Sequence, residues 1–329
     1  KQMPVFYNPV MKHNRDISIL LLNTLGKKDM QLADPLAASG IRSVRFLLEL
    51  DKGIIKTLSI NDYGQDSKKN IKANLKDNDM PDNKKITITN EDANLFLLNS
   101  TGFDYIDIDP FGTPNPFLDA AVKRISREGV LAVTATDLSS LAGTYPAVCK
   151  RRYWAEPKRD ELMHEIGLRI LIRKVQLIAS QYEKSLLPIF SYFKDHYFRI
   201  FFRCEKGKNK ADNILKQHGS YEKAGPMWLG LLWDARLVSE ILKKTPKDDK
   251  ELYGFMETIK QESKINTVGF YDIHKIVKRN KIKKIPKKED LIKAIKKAGY
   301  KASATHFNVQ GIRSEMPIKS LIKIINRFK

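Results

Sequence analysis

Cysteine is scarce in this 329-residue chain: Cys149 and Cys204 stand far apart with no C-x-x-C partner. That spacing excludes a cysteine-ligated zinc cluster and a disulfide framework, and leaves two reduced, partly buried thiols as the expectation. Long apolar runs are also missing. None reaches the roughly 18 residues a membrane span requires, and "ISILLLNTL" is too short and too late for a secretory h-region. A cytoplasmic protein without a membrane partner is therefore expected, although the abrupt opening at Lys1, just before motif-like sequence, leaves room for a native segment upstream. Glycines are absent where a dinucleotide fold needs them: "DPLAASG" is not G-x-G-x-x-G, which argues against NAD or FAD.

Negative charge is the last shortage. Against 59 Lys and Arg stand 38 Asp and Glu, a net charge of +21. From Arg236 to Lys329 there are 24 basic and 10 acidic side chains, so 14 of the 21 net charges lie in the last third. A Lys-rich thermophile surface is one reading. Glu does not keep pace with Lys, however, and an acidic polymer such as nucleic acid is the favoured partner.

What is present reads as two domains, 1–236 and 237–329. From Asn14 to about Phe202 helical and strand patterns alternate, the signature of an α/β fold with a mainly parallel sheet. "NRDISILLLNTL" is helical, with Asn14 as its N-cap; "MQLAD", "TLSIND", "KITITNEDA", "FDYIDIDPFG" and "GVLAVTAT" are strands; "LPIFSYF" and "HYFRIFFR" form a closing antiparallel hairpin. The smaller domain is basic and α+β. "YDIHKIVKRN" and "KKEDLIKAIKKAGY" are short helices, the second stopped by Gly299, and "KASATHF" with "GIRSEMP" makes a hairpin, a winged-helix-like order.

Strand, small-residue loop and helix form a nucleotide-cradling unit in which Gly40 permits close backbone approach. S-adenosylmethionine asks less of such a loop than a dinucleotide, because it carries no phosphate. Asp62, about 20 residues past the loop, stands where such folds put an acid on ribose hydroxyls. Asp92 and Ala93 could read an adenine. Each acid alone could equally be a helix cap. At "DIDPFG" the chain places Asp109, Pro110 and Phe111 at a strand mouth. A nucleobase amine is a poor nucleophile, so a fixed acceptor must orient its N–H bonds, and an aromatic ring can stack on an extracted base. A strand-ending Asp-Pro turn is the plainer alternative.

"VFYNPVMKHNRD", "ASGIRSVRF", "DIDPFGTPNPFLDAA", "TATD", "HEIGLRIL", "KDHYFR", "GPMWLG" and "THFNVQGIRS" occur together and in this order. The set closely resembles the tRNA guanine-26 N2-dimethyltransferases, above all the archaeal ones. The resemblance implies a Rossmann-like class I methyltransferase sheet. It also implies transfer of one or two methyl groups from S-adenosylmethionine, leaving S-adenosylhomocysteine, to a tRNA guanine amine. A monomer is expected, although nothing in the sequence fixes the oligomeric state. The family's cofactor contacts fall on Arg15, Arg42, Asp62, Asp92 and Ala93, and its target-base pocket on Phe6, Asp109, Pro110 and Phe111. Many relatives carry a four-cysteine zinc insertion before "GP-WLG"; this chain has only "NKADNILKQHGSYEKAG" there, so no metal is expected. His164 and His196 are read as packing or hydrogen-bonding residues and Trp228 and Trp233 as core. Lys293, Lys296 and Lys297 are either a solvated helix face or phosphate contacts. Two rivals stay open: an adenine-N6 type amino methyltransferase, whose motif usually has a second proline where Phe111 stands, and an RNA-binding protein with a vestigial cofactor fold.

Overall fold

The computed structural model describes residues 8–80 and 84–328. In chain order it contains α1 (Lys12–Leu25), β1 (Met30–Asp34), α2 (Ile41–Glu49), β2 (Ile55–Asn61), α3 (Ser67–Asp77), β3 (Ile86–Thr89), α4 (Ala93–Leu98), β4 (Phe103–Ile108), α5 (Asn115–Arg124) and β5 (Ile125–Ala135). Then come α6 (Leu138–Leu141), α7 (Pro146–Tyr153), α8 (Met163–Ser180), β6 (Lys184–Lys194), β7 (Tyr197–Lys206), α9 (Lys208–Leu215), β8 (His218–Tyr221) and β9 (Ala224–Trp228). The remainder is α10 (Ala235–Lys244), α11 (Lys250–Glu262), β10 (Tyr271–Asp272), α12 (Ile273–Arg279), α13 (Lys288–Lys297), β11 (Ala302–Ala304), β12 (Gly311–Ser314) and α14 (Ile318–Ile325).

The chain forms two compact units. The first runs to Asp137 and adds Lys174–Ile189 and Tyr197–Gln217; the second takes Leu138–Arg173, Phe190–His196 and everything from His218 onward. The division falls inside α8 and inside β6, so neither unit is a single stretch of sequence.

A seven-stranded sheet has the order β3-β2-β1-β4-β5-β7-β6, and all of it but the end of β6 belongs to the first unit. Strands β1 to β5 are parallel and β7 runs antiparallel to β5. The expected mainly parallel α/β sheet is therefore present. Its central strands β1 and β4 are buried almost throughout, with Leu32, Ile106 and Ile108, and Leu131 and Val133 of β5, fully buried, as a sheet covered on both faces requires.

One helix start differs from expectation. Helix α1 begins at Lys12, and Asn14 lies inside it, fully buried. A 3-10 turn at Pro9–Met11 starts the coil earlier: the Asn8 side chain accepts from the Val10 amide at 3.0 Å, and proline supplies a helical φ. Asn14 is thus released from capping and joins the buried polar cluster described below.

In the second unit β8 and β9 pair antiparallel, and a three-stranded sheet has the order β10-β12-β11. The helix, helix, hairpin order read for 271–317 appears as α12, α13 and the antiparallel β11–β12 pair. Gly299, just past α13, takes the left-handed φ of 88° that ends a helix there. Ile276, Leu291, Ile295, Ile312, Leu321 and Ile325 pack as its core. Among the described residues no helix is long and apolar enough to cross a membrane.

Candidate active site at the strand mouths

Because β1 to β5 are parallel, their carboxyl ends open on one edge of the sheet. The strand order reverses direction between β1 and β4, the point at which open α/β sheets bind ligands. Asp34 ends β1; Asp62, Asp92 and Asp109 follow β2, β3 and β4; Thr134 and Thr136 stand at the end of β5.

Asp62 is half-buried and holds the loop after β1. Its Oδ2 accepts from the Ala38 amide at 2.8 Å, while Oδ1 accepts from the Gly64 amide at 2.8 Å and the Ser67 hydroxyl at 2.7 Å. Ala38 takes a left-handed φ of 47° to aim that amide. Asp92 fills the cap role left open for it: Oδ1 accepts from Asn94 at 2.9 Å and Leu95 at 3.1 Å, and Ala93, 3% exposed, opens α4. Asp62 caps no helix, since Asp66 occupies that place for α3. Arg15 is buried in α1, and both of its terminal nitrogens donate to the Asn8 carbonyl at 3.3 Å.

Arg42, expected as a cofactor contact, lies in α2 buried between two carboxylates. It donates to Asn14 Oδ1 at 2.9 Å, to Ser18 Oγ at 3.2 Å and to Asp109 Oδ2, and it stands 3.2 Å from Asp107 Oδ2. Asp107 in turn receives Arg199 of β7 through two parallel bonds of 2.8 and 2.7 Å, and the Tyr105 hydroxyl at 2.6 Å. Arg199 also donates to Thr134 Oγ1 and Ser18 Oγ, both at 2.9 Å. Burial alone would raise the Asp107 carboxyl, but the Arg199 and Arg42 guanidiniums hold it below the usual carboxylate range.

Asp34 behaves oppositely. Burial pushes it up to about 7, the Asp107 and Asp109 charges add to the rise, and Arg42 with the Ser43 hydroxyl, 2.8 Å away, only partly oppose it. Two arginines already balance Asp107 and Asp109, so the third acid is the one that sheds its charge.

At the mouth of β4 the Asp109 side chain is 18% exposed. Its Oδ2 is taken by Arg42, and Oδ1 has no hydrogen-bond partner among the described residues. Pro110 is buried and Phe111 is 72% exposed. The loop is fastened to β5, since the Gly112 amide donates to Thr136 Oγ1 at 2.7 Å and the Thr136 amide to the Gly112 carbonyl at 2.9 Å. Phe6 lies outside the described residues. An acceptor fixed on one side, unpaired on the other among the described residues and followed by a rigid proline and an accessible ring suits an amine on a flat heterocycle.

The motif pattern finds its counterpart among known proteins. The model of the family described as N2,N2-dimethylguanosine tRNA methyltransferase matches residues 1–223 and 216–326. The chain belongs to this family. Among its relatives, the tRNA (guanine(26)-N(2)/guanine(27)-N(2))-dimethyltransferase of Aquifex aeolicus is 37% identical over 98% of this chain and 89% of its own length. The tRNA (guanine(26)-N(2))-dimethyltransferase of Pyrococcus furiosus is 36% identical over 98% and 93%. Among solved structures, Trm1 from Pyrococcus horikoshii in complex with S-adenosyl-L-methionine superposes with a TM-score of 0.90 at 35% identity, covering 98% of this chain and 95% of that one.

The family's motifs sort into two clusters. Those carrying Asn14, Arg15, Arg42, Asp109 and Arg199 gather in the first unit. "HEIGLR", "GPMWLG" and "THFNVQGIRS" meet in the second, where buried Arg313 donates to Glu165 Oε2 at 2.6 Å and to Glu262 Oε1 at 3.0 Å. There Arg169 donates to the carbonyls of Trp228 at 3.1 Å and Gly230 at 2.9 Å. His164 stacks on Phe193 at 3.9 Å, and Trp228 and Trp233 are buried, as the packing reading expected, whereas His196 is exposed. Both cysteines are fully buried, and burial raises Cys204 to about 11. Sequence reasoning missed Asp107, Arg199 and Asp34. The signal for Asp107 was available: strand period two puts Tyr105, Asp107 and Asp109 on one face.

Proposed function

We propose that this protein methylates the exocyclic N2 of guanine 26 of tRNA, once or twice, with S-adenosylmethionine as donor. The observation that carries the reading is Asp109, held by Arg42 through one oxygen and without a hydrogen-bond partner at the other among the described residues, beside Pro110 and Phe111.

The residues at the strand mouths fit the donor. A half-buried acid after β2, an acid and amide at the start of α4, and a buried arginine in α1 suit hydroxyls, a purine edge and a carboxylate. Asp62, Asp92 with Ala93, and Arg15 would hold it, with Arg42 behind them. When bound, S-adenosylmethionine supplies a methyl group on a positively charged sulfur. The chain's own part is orientation. Asp109 Oδ1 and the Pro110 carbonyl accept the two N–H bonds of the amine, Phe111 stacks against the base in a pocket to which we also assign Phe6, and Arg42 keeps the carboxylate from turning away. Proximity and alignment carry most of the rate. The basic region 237–329 grips the tRNA by shape and phosphate, with Lys293, Lys296 and Lys297 among its contacts, while residues 1–236 do the chemistry. We place the enzyme in the cytoplasm, as a monomer that needs no metal.

The direct test is methylation of a tRNA transcript by Asp109→Ala. A loss of roughly 100-fold or more in turnover, with tRNA and donor still bound, is expected. Turnover near that of the unaltered protein removes Asp109 from the mechanism, and methyl groups mapped to an adenine overturn the choice of acceptor.

A further inference from the structure

Helix α7, in the second unit, carries a basic surface that this reading leaves unused. Between Leu138 and Arg159 the chain has five basic residues, Lys150, Arg151, Arg152, Lys158 and Arg159, against one acid, Glu156. Cys149 and Tyr153, four apart, form the buried face of α7. Lys150, Arg151 and Arg152 therefore wrap its outer side, and all three are exposed. Lys150 and Arg151 make no ion pair among the described residues. At the two ends of the helix stand exposed aromatics, Tyr145 at 58% and Trp154 at 49%.

Cations in a last turn are ordinary helix-end chemistry, because they oppose the macrodipole. That explanation does not cover Trp154. It is the C-cap of α7 with a left-handed φ of 56°, a conformation that glycine or asparagine adopts without penalty and a bulky ring resists. Its amide donates to the Lys150 carbonyl at 3.1 Å and its carbonyl accepts from Arg173 at 3.3 Å, so both sides of the peptide are anchored. The ring is left half in solvent at the end of a helix whose last turn carries Lys150, Arg151 and Arg152. A strained position that keeps a large aromatic outward, where a small residue would fold more easily, points to a use for the ring.

We infer that the outer face of α7 is a tRNA contact in which Trp154 stacks on an unpaired base and Lys150, Arg151 and Arg152 engage flanking phosphates. The argument is charge complementarity combined with an aromatic platform, the pairing by which proteins hold unstacked nucleotides. It rests on the reading that tRNA is the substrate, and it adds a tRNA-binding surface outside the basic region 237–329.

Trp154 reports on itself. The chain has three tryptophans; Trp228 and Trp233 are 0% and 5% exposed, so acrylamide reaches Trp154 above all. Added tRNA transcript should shield that emission. Trp154→Gly should fold at least as well, because it relieves the left-handed strain, while tRNA affinity falls roughly 10-fold or more and the KM for tRNA rises with it. Turnover at saturating tRNA and affinity for S-adenosylmethionine should stay unchanged. Arg151→Gln and Arg152→Gln together should flatten the salt dependence of tRNA binding, by about one in log–log slope for each phosphate that is no longer neutralised. If the unaltered protein binds and methylates tRNA while Trp154 stays fully quenchable and Trp154→Gly keeps its KM, the α7 surface is wrong and the proposed function stands. That result would fit a protein-binding face instead. If the unaltered protein neither binds nor methylates tRNA, the proposed function itself fails and takes the α7 surface with it.

Discussion

Where Arg42 and Arg199 meet Asp34, Asp107 and Asp109, electroneutrality decides which carboxyl gives up its charge, and burial selects Asp34. An acid whose folded value, about 7, lies above its ordinary 3.8 stabilises the fold in its protonated form. That contribution is complete below about 3.8 and disappears as pH rises toward 7. Stability measured by urea unfolding should therefore slope downward across that window, and Asp34→Asn, which is neutral throughout, should flatten the slope. A variant as steep as the parent would mean that Asp34 is ionised in the fold. The same cluster accounts for Arg42. Its guanidinium is committed to Asn14, Ser18 and both carboxylates, so Arg42→Ala should lower turnover by releasing Asp109 and also cost stability by leaving Asp107 short of a partner. Arg42→Lys, a point charge without the planar fork, should recover stability better than turnover.

Among the elements, α2 shows how a single backbone requirement places a side chain. Gly40 caps the helix at a φ of 75°, and a Cβ there would meet Ile71 Cγ1 at 3.0 Å. Gly40→Ala should lower stability by about 1–2 kcal/mol and, because Arg42 lies two residues on, reduce turnover as well. An unchanged urea midpoint would refute the requirement. The strands themselves were legible, since period-two apolar runs bounded by glycine, proline and aspartate mark β1 to β4 within a few residues. Two ends were not. Strand β5 starts at Ile125 rather than Gly129, because the chain pairs with Phe103 before its register shifts. Helix α1 starts ahead of Asn14 because a proline turn coils first. The strand-mouth acids were legible for the same reason as the strands. Their partners were not: Arg199 reaches Asp107 across 92 residues, and no local pattern announces that. Helices α6 and α7 also escaped, for α7 buries only two side chains of eight and carries little periodic signal.

At the scale of the whole molecule, each unit is tied internally by one buried ion cluster assembled from distant segments, and the two clusters respond to acid differently. In the second unit Arg313 joins Glu165 of α8, 148 residues away, with Glu262 of α11 and the carbonyls of Thr267 and Gly269. Burial would raise Glu165, but Arg313 and Arg169 hold it down at about 2. An acid with a depressed folded value stabilises above its ordinary 4.5 and loses that contribution as pH falls toward 2, here about 3 kcal/mol in all. The net charge of +21 sharpens the effect, because every proton taken up adds to a surplus that already repels itself. Hydrogen-exchange protection should therefore drop below pH 4.5 at β12 and at Gly269, whose amide donates to Glu165 Oε1 at 2.9 Å. Glu165→Gln should show that loss already near neutral pH, because Arg313 and Arg169 then keep their charges with one carboxylate fewer between them. Protection at these amides that stays constant well below pH 4.5, or that Glu165→Gln leaves intact near neutral pH, would show that this cluster does not hold the second unit together.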